Sequence, residues 1–131
     1  MKGLMTFVAA AALTVSFASV ATAQGMKSKD EQIKAATSAL PAALRDGATV
    51  ISYDSKGLPQ VLRQGNNNIF CADLSTAEGF NASCRGQALR AASDFAALEK
   101  AQGKDAKTIS ADTDAAYASG KLTRAPAGTT I

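Results

Sequence analysis

The spacing of hydrophobic and polar positions predicts a helix over residues 29–39. Ser28 stands before it and Glu31 lies in its first turn, at the spacing of a capping box, in which each side chain accepts a hydrogen bond from a free backbone N–H at the helix start. Pro41 ends this helix or opens a short turn that runs to Arg45, because proline has no N–H for a helix interior.

The middle of the chain has the alternation and the β-branched side chains of strands. Asp54-Ser55-Lys56-Gly57 fits a type I turn with glycine at the position that favours a positive φ. Pro59 places the strand after this turn at an edge of the sheet or confines its pairing to its later half, because proline cannot donate a ladder hydrogen bond. The expected strands span residues 48–53, 58–63 and 69–71, and the expected turns span residues 54–57 and 65–68.

The C-terminal half contains two further helical patterns. Residues 72–83 have no periodicity, so we expect a loop there. An apolar stripe at helical spacing predicts a helix over residues 86–103. The stripe consists of Ala88, Ala91, Ala92, Phe95 and Leu98. A shorter helix is expected over residues 111–119, with Ser110 as its N-cap and Gly120 as its stop.

These elements predict a small α+β domain. A three-stranded antiparallel meander is expected to pack against two or three helices, with one disulfide bond. Residues 24–131 are long enough for one domain with a modest core. The tail from about residue 121 shows no helical or strand pattern, so we expect it to be unstructured.

The first 23 residues have the pattern of a secretory signal peptide. Lys2 provides the positive start, a run of apolar and small residues follows, and Ala21-Thr22-Ala23 fits the cleavage site. Several Ser and Thr residues dilute the run, which favours cleavage over a retained membrane helix. The expected product is located in the periplasm or secreted and has no membrane span.

Cys71 and Cys84 are the only cysteines of the chain, and we expect them to form a structural disulfide bond. The alternative of a redox-active pair lacks the C-x-x-C spacing that activates one thiol. A zinc site needs further ligands, and the chain has no histidine. The bond is expected to join the end of the third strand to the start of the main helix.

The absence of histidine also excludes several catalytic chemistries. Ser-His and Cys-His nucleophile pairs and c-type haem attachment all require it, and we expect no cofactor or metal. Nucleic-acid binding has little support, because the formal net charge is only +3 and aromatic residues are few. Paired carboxylates could still support acid–base chemistry on a polysaccharide. The candidates are Asp54, Asp73, Glu78, Asp112 and Asp114.

Arg63, Asn66, Asn67 and Asn68 form the candidate binding surface. An arginine at a strand end beside three amide side chains can recognise a carboxylate or an array of sugar hydroxyls. The alternative interpretation is a polar hairpin turn, since asparagine is a common turn residue.

Most of the chain after the leader resembles a group of uncharacterised bacterial exported proteins. The resemblance rests on Ala48-Thr49-Val50, Leu62-Arg63-Gln64-Gly65, Asn67, Cys71 and Cys84. It implies an envelope or secreted protein and implies no known activity.

Three classes of function follow from these observations. The first is a non-enzymatic binding or accessory protein of the bacterial envelope, whose partner is an unknown protein or a small polar ligand. The second is a carboxylate-based enzyme that acts on envelope polysaccharide. The third is an inhibitor or interaction module that presents the loop over residues 72–83.

Overall fold

The computed structural model describes residues 27–128, so the predicted signal peptide over residues 1–23 lies outside the described residues. Within this part the strands are β1 (Thr49–Tyr53), β2 (Pro59–Arg63), β3 (Ile69–Asp73) and β4 (Ala82–Gly86). The helices are α1 (Lys29–Thr37), α2 (Ala42–Arg45), α3 (Arg90–Ala101) and α4 (Ala106–Ala118), and a 3₁₀ turn over Gln87–Leu89 precedes α3. The α+β class is confirmed.

The strands form one mixed sheet in the order β2-β1-β3-β4, so the prediction of a three-stranded antiparallel meander is wrong. β1 pairs antiparallel with β2 but parallel with β3, and β3 pairs antiparallel with β4. β2 lies at an edge of the sheet, as Pro59 predicts.

The segment after β2 crosses the start of β1 instead of turning back along β2. The N–H groups of Asn66 and Asn67 donate to Gly47 O at 2.7 and 3.0 Å. The Gly65 N–H donates to Thr49 Oγ1 at 3.0 Å. These bonds hold the segment against β1, so β3 begins on the far side and runs parallel to β1. The same Gly and Asn residues suit a hairpin turn, which is why the local pattern did not reveal the crossing.

The expectation of a loop over residues 72–83 is wrong at both ends. Residues 72 and 73 belong to β3, and residues 82 and 83 belong to β4, which pairs with β3 along its whole length. The β4 sequence Ala-Ser-Cys-Arg-Gly has little intrinsic strand propensity. Its conformation therefore depends on hydrogen bonds to β3, which the periodicity of its own residues does not encode.

Helix α1 covers one face of the sheet. Its capping box forms as predicted, since the Ser28 N–H donates to Glu31 Oε2 at 2.7 Å and the Glu31 N–H donates to Ser28 Oγ at 3.3 Å. The helix ends at Thr37, slightly before the predicted boundary, and α2 follows Pro41. The core cluster on this face consists of Ala36, Leu40, Ala48, Val50 and Cys71.

Helix α3 lies over the opposite face of the sheet in an orientation that its stripe did not predict. Ala88, Ala91 and Leu98 of the stripe are exposed, and no residue of α3 is buried. Alanines occur on nearly every side of this helix, so helical spacing of apolar residues does not single out one buried face.

Helix α4 begins at Ala106, earlier than predicted. Its N-cap is Asp105, whose Oδ1 accepts the Thr108 N–H at 2.7 Å, whereas Ser110 lies inside the helix. Aspartate and serine are comparable caps, and the turn at Gly103 (φ 83°) places Asp105 at the helix start. The cap therefore follows the position of the turn.

Helix α4 ends beside the glycine that the sequence predicts as its stop. Gly120 has a φ of 77°, in the left-handed region where glycine commonly ends a helix. Residues 121–128 have no helix or strand. Leu122 is nevertheless buried, and its N–H donates to Ala116 O at 3.0 Å, so the first tail residues pack on α4.

Candidate functional site

A groove of about 830 Å³ lies between the sheet and the α3–α4 pair, on the side opposite α1. Its volume falls in the range of roughly 300–1,000 Å³ that is typical of small-molecule sites. Its floor is the sheet, and its wall is formed by α3 and the start of α4. The floor consists of Tyr53, Phe70, Ala72, Leu74, Ser83 and Arg85, and the helical wall includes Ser93, Ala96, Ala97, Lys100, Ala101 and Ile109.

The alternation of strand residues makes the floor apolar. Successive side chains of a strand point to opposite faces, so Cys71 of β3 faces α1 while Phe70 and Ala72 face the groove. Ile51, Phe70 and Ala72 form a second buried core cluster on this face of the sheet, and Tyr53 packs against it. The groove thus continues the second core cluster of the domain.

The wall leaves space because its side chains are small. Ala96 and Ala97 face the groove, and each provides only a methyl group toward Phe70 and Leu74 on the other side. Native cores are close-packed, with few voids larger than a water molecule. A space of this size between a sheet and a helix is therefore a cavity in which a ligand could lie.

The α3–α4 pair is tied together at its turn. Lys104 forms salt bridges with Glu99 of α3 and, at 2.7 Å, with Asp112 of α4. Hydrogen bonds to Asp112 and Glu99 raise the pKa of Lys104 above its ordinary value. Because Gly103 supplies the left-handed residue of the turn, the two helices form one wall.

Three cationic side chains line the groove, and no carboxylate does. Lys56 comes from the β1–β2 turn, Arg85 from β4 and Lys100 from α3, and all three residues are exposed. Among residues 27–128, none of these side chains forms a salt bridge or a hydrogen bond. Burial raises the pKa of the Tyr53 hydroxyl above its ordinary value, and the nearby Asp94 carboxylate adds to the effect.

The predicted binding surface lies elsewhere, and its polar groups bind the chain's own backbone. Arg63 donates to Ala48 O, at 3.3 Å from Nε and 3.1 Å from Nη2, and also to Arg45 O. Asn67 Nδ2 donates to Leu44 O at 2.7 Å. Arg63 and Asn67 therefore hold the segment between α2 and β1 in place.

The other two residues of that surface are more open to solvent. Asn66 and Asn68 are exposed, and Asn68 has a φ of 59°, a left-handed conformation that asparagine tolerates. None of the four predicted residues lines the groove. Their recognition of a ligand stays a prediction.

Cys71 and Cys84 form the predicted disulfide bond. They stand opposite each other in β3 and β4, with their Cα atoms 4.1 Å apart. The predicted position of Cys84 at the start of the main helix is wrong, because the existence of β4 was missed. The bond thus closes the β3–β4 hairpin beneath α1 instead of joining a strand to a helix.

The connection between β3 and β4 forms a tight hairpin tip. The Leu74 N–H donates to Asn81 O at 2.7 Å, and Thr76 and Gly79 exchange backbone hydrogen bonds of 3.0 and 3.3 Å. Phe80 lies in this tip and is 67% exposed. The tip is therefore an ordered element that presents an aromatic ring to solvent.

The base of this hairpin is attached to the chain before α1. Lys27 Nζ forms a salt bridge of 2.6 Å with Asp73 Oδ2. Burial raises the pKa of Asp73, but hydrogen bonds from Lys27 and Ser75 outweigh it and hold that pKa below its ordinary value. Asp73 is thereby an ionised structural group of the hairpin.

The candidate carboxylates do not come together at the groove. Asp54 Oδ1 accepts the N–H groups of Lys56 and Leu58 at 2.8 and 2.9 Å, so it stabilises the β1–β2 turn. Asp112 is bound to Lys104, as described above. Over residues 27–128, no group of three or more metal-ligating side chains is present, and no helix is long and apolar enough to cross a membrane.

The groove is the site that sequence reasoning missed. Strand alternation at Phe70, Ala72 and Leu74 was the available signal, since it continues beyond the predicted end of the third strand. The shape of the site depends on the side of α3 that faces the sheet, and the predicted stripe did not identify that side.

Comparison of the chain with models of known protein families, with curated protein sequences and with solved structures found no match. The function must therefore be argued from the groove and from the surface of the domain.

Proposed function

We propose that this chain is an exported, non-enzymatic binding protein of the bacterial envelope, and that a small ligand with an apolar part occupies the groove. The observation that carries the proposal is the groove itself, about 830 Å³ between the sheet and the α3–α4 pair. Binding sites of this kind are concave, mostly apolar and supplied with a few polar groups.

The chemistry of the lining favours binding over carboxylate catalysis. General acid–base or glycoside chemistry requires two carboxyl groups that flank the reacting bond. The groove is lined by alanines, serines, aromatic and aliphatic side chains and three cations, without Asp or Glu. Its polar groups can orient a ligand but do not form a carboxylate pair.

Export is supported by the leader pattern and by the disulfide bond. Disulfide bonds persist in oxidising compartments such as the periplasm and the extracellular space. The bond between Cys71 and Cys84 and the predicted cleavage after Ala23 are consistent with the same route. The resemblance to bacterial exported proteins points to that location as well.

Filling the groove is expected to abolish ligand binding. Ala97→Trp places an indole in the space between α3 and the sheet, whereas Ala91→Trp places the same group on the exposed side of α3. The probe is 8-anilinonaphthalene-1-sulfonate, an aromatic anion whose fluorescence rises in an apolar site. We expect a saturable 1:1 signal with the unmodified protein and with Ala91→Trp, and at least a tenfold weaker affinity with Ala97→Trp.

Urea unfolding of both variants provides the control, because a loosened fold also binds this probe. Equal affinity of the two variants, at equal stability, would place the probe outside the groove and contradict the proposal. Competition by a small-molecule extract of the envelope then gives a route to the natural ligand.

A second candidate function rests on the hairpin tip. Phe80 is 67% exposed on a segment constrained by backbone hydrogen bonds, and rigid exposed aromatic residues are frequent anchors of protein interfaces. The module would then present residues 72–83 to a partner protein.

Removal of the Phe80 ring is expected to abolish capture of that partner by crosslinking in an envelope extract. Val61→Ala is the matched control, because Val61 is also an exposed apolar residue, 51% exposed, but lies on the edge strand β2. We expect one crosslinked product to disappear in Phe80→Ala and to persist in Val61→Ala. The same products from both variants would rule out the tip as the contact.

A further inference from the structure

We propose that the ligand of the groove is a fatty carboxylate, a single-chain amphiphile whose anionic head lies against Arg85, one of three cationic side chains of the lining. This inference rests on the proposed function and names the ligand class of the same site.

The charge of the lining favours a ligand with an anionic group. Lys56, Arg85 and Lys100 belong to three different elements, face one groove and have no carboxylate partner among the described residues. Three cations elsewhere in the described residues do form salt bridges, namely Lys27, Arg90 and Lys104. An arginine can hold a carboxylate with two parallel hydrogen bonds.

The volume of the groove favours a ligand with one alkyl chain. At about 30 Å³ per non-hydrogen atom, a dodecanoate ion needs on the order of 400 Å³, and a two-chain lipid of about 50 such atoms needs on the order of 1,500 Å³. The groove of about 830 Å³ can enclose the first but not the whole of the second.

The lining also favours an alkyl chain over an extended peptide. A peptide introduces one N–H and one C=O at each residue, and each needs a hydrogen-bond partner when it is buried. Phe70, Leu74, Ile109 and the alanines of α3 provide no such partners, and the polar groups of the lining are separate serine, tyrosine and cationic side chains. An alkyl chain needs none.

Calorimetric titration of the disulfide-bonded protein with octanoate, decanoate and dodecanoate, all below micelle formation, tests the inference. Each two added carbons are expected to tighten binding by about tenfold. Decanoate is expected to bind about tenfold more tightly than neutral decan-1-ol, because a hydrogen bond to a charged group adds to the same apolar contact.

Arg85→Ala is expected to weaken decanoate binding by about tenfold and to leave decan-1-ol binding unchanged. Lys34→Ala is the control, because Lys34 is an exposed cation of α1 on the opposite face of the sheet. An equal loss in both variants, or no preference for decanoate over decan-1-ol, overturns the inference.

Different results would contradict the fatty-carboxylate inference and the proposal of a binding groove. If decan-1-ol binds, Ala97→Trp blocks it and the carboxylate brings no advantage, the fatty-carboxylate inference is wrong and the binding groove stands. If none of these compounds binds and the aromatic probe is insensitive to Ala97→Trp, both proposals are wrong.

Discussion

Loss of the Cys71–Cys84 bond is expected to lower the free energy of unfolding by about 3 kcal/mol. The bond closes a loop between residues separated by 13 positions, and the chain-entropy model assigns about 3 kcal/mol to a loop of this length. This is a large share of a total stability of roughly 5–15 kcal/mol. The location of the bond adds to its importance, because β4 has weak strand propensity and depends on its pairing with β3.

Urea unfolding with and without a thiol reductant measures this effect. We expect the reductant to lower the unfolding midpoint of the native protein and to have no effect on the double variant Cys71→Ala/Cys84→Ala. Alanine is preferred to serine at position 71, since Cys71 is fully buried and a hydroxyl there would add a desolvation cost. An unchanged midpoint of the native protein after complete reduction would show that the bond contributes little.

Gly65→Ala is expected to destabilise the domain by about 3 kcal/mol, at the upper end of the usual cost of overpacking. A Cβ built on Gly65 overlaps three backbone atoms at the start of β1, namely Gly47 O, Ala48 C and Thr49 N. Backbone atoms cannot move aside as a side chain can, so the crossing segment must separate from β1. That separation also removes the hydrogen bond from Gly65 N–H to Thr49 Oγ1.

Gly79→Ala is the matched control for this substitution. A Cβ on Gly79 meets no atom within 4 Å, so the same chemical change at the hairpin tip is expected to alter stability by less than about 0.5 kcal/mol. Comparison of the two unfolding midpoints separates steric overlap from the general cost of replacing glycine. Equal midpoints would mean that the segment after β2 does not cross β1 as closely as described.

Elements whose signals are local were predicted well. The Ser28–Glu31 capping box, the edge position of β2 and the stop at Gly120 depend on residues within a few positions of each other. The disulfide was predicted from the cysteine count and the expected compartment. Each of these features follows from the chemistry of a short segment or from composition.

Features that depend on distant partners were predicted poorly. β4 exists because β3 lies beside it, and the parallel pairing of β1 with β3 exists because residues 65–68 bind the start of β1. The groove requires both the β3–β4 hairpin and the orientation of α3. Both the missed groove and the wrong strand order therefore result from contacts between residues that are far apart in the sequence.

The sequence by itself determined the class of the fold, the capping box of α1, the stop of α4 at Gly120, the pairing of the two cysteines and the absence of histidine chemistry. Only the tertiary structure decided the order of the strands, the side of α3 that faces the sheet and the placement of Lys56, Arg85 and Lys100 in the lining of one groove. The physical reason is that capping, turn formation and strand alternation act over a few residues. Strand order and groove shape depend on which surfaces, distant in the sequence, pack together and exclude water. The alanines spread around α3 do not define which side of that helix faces the sheet.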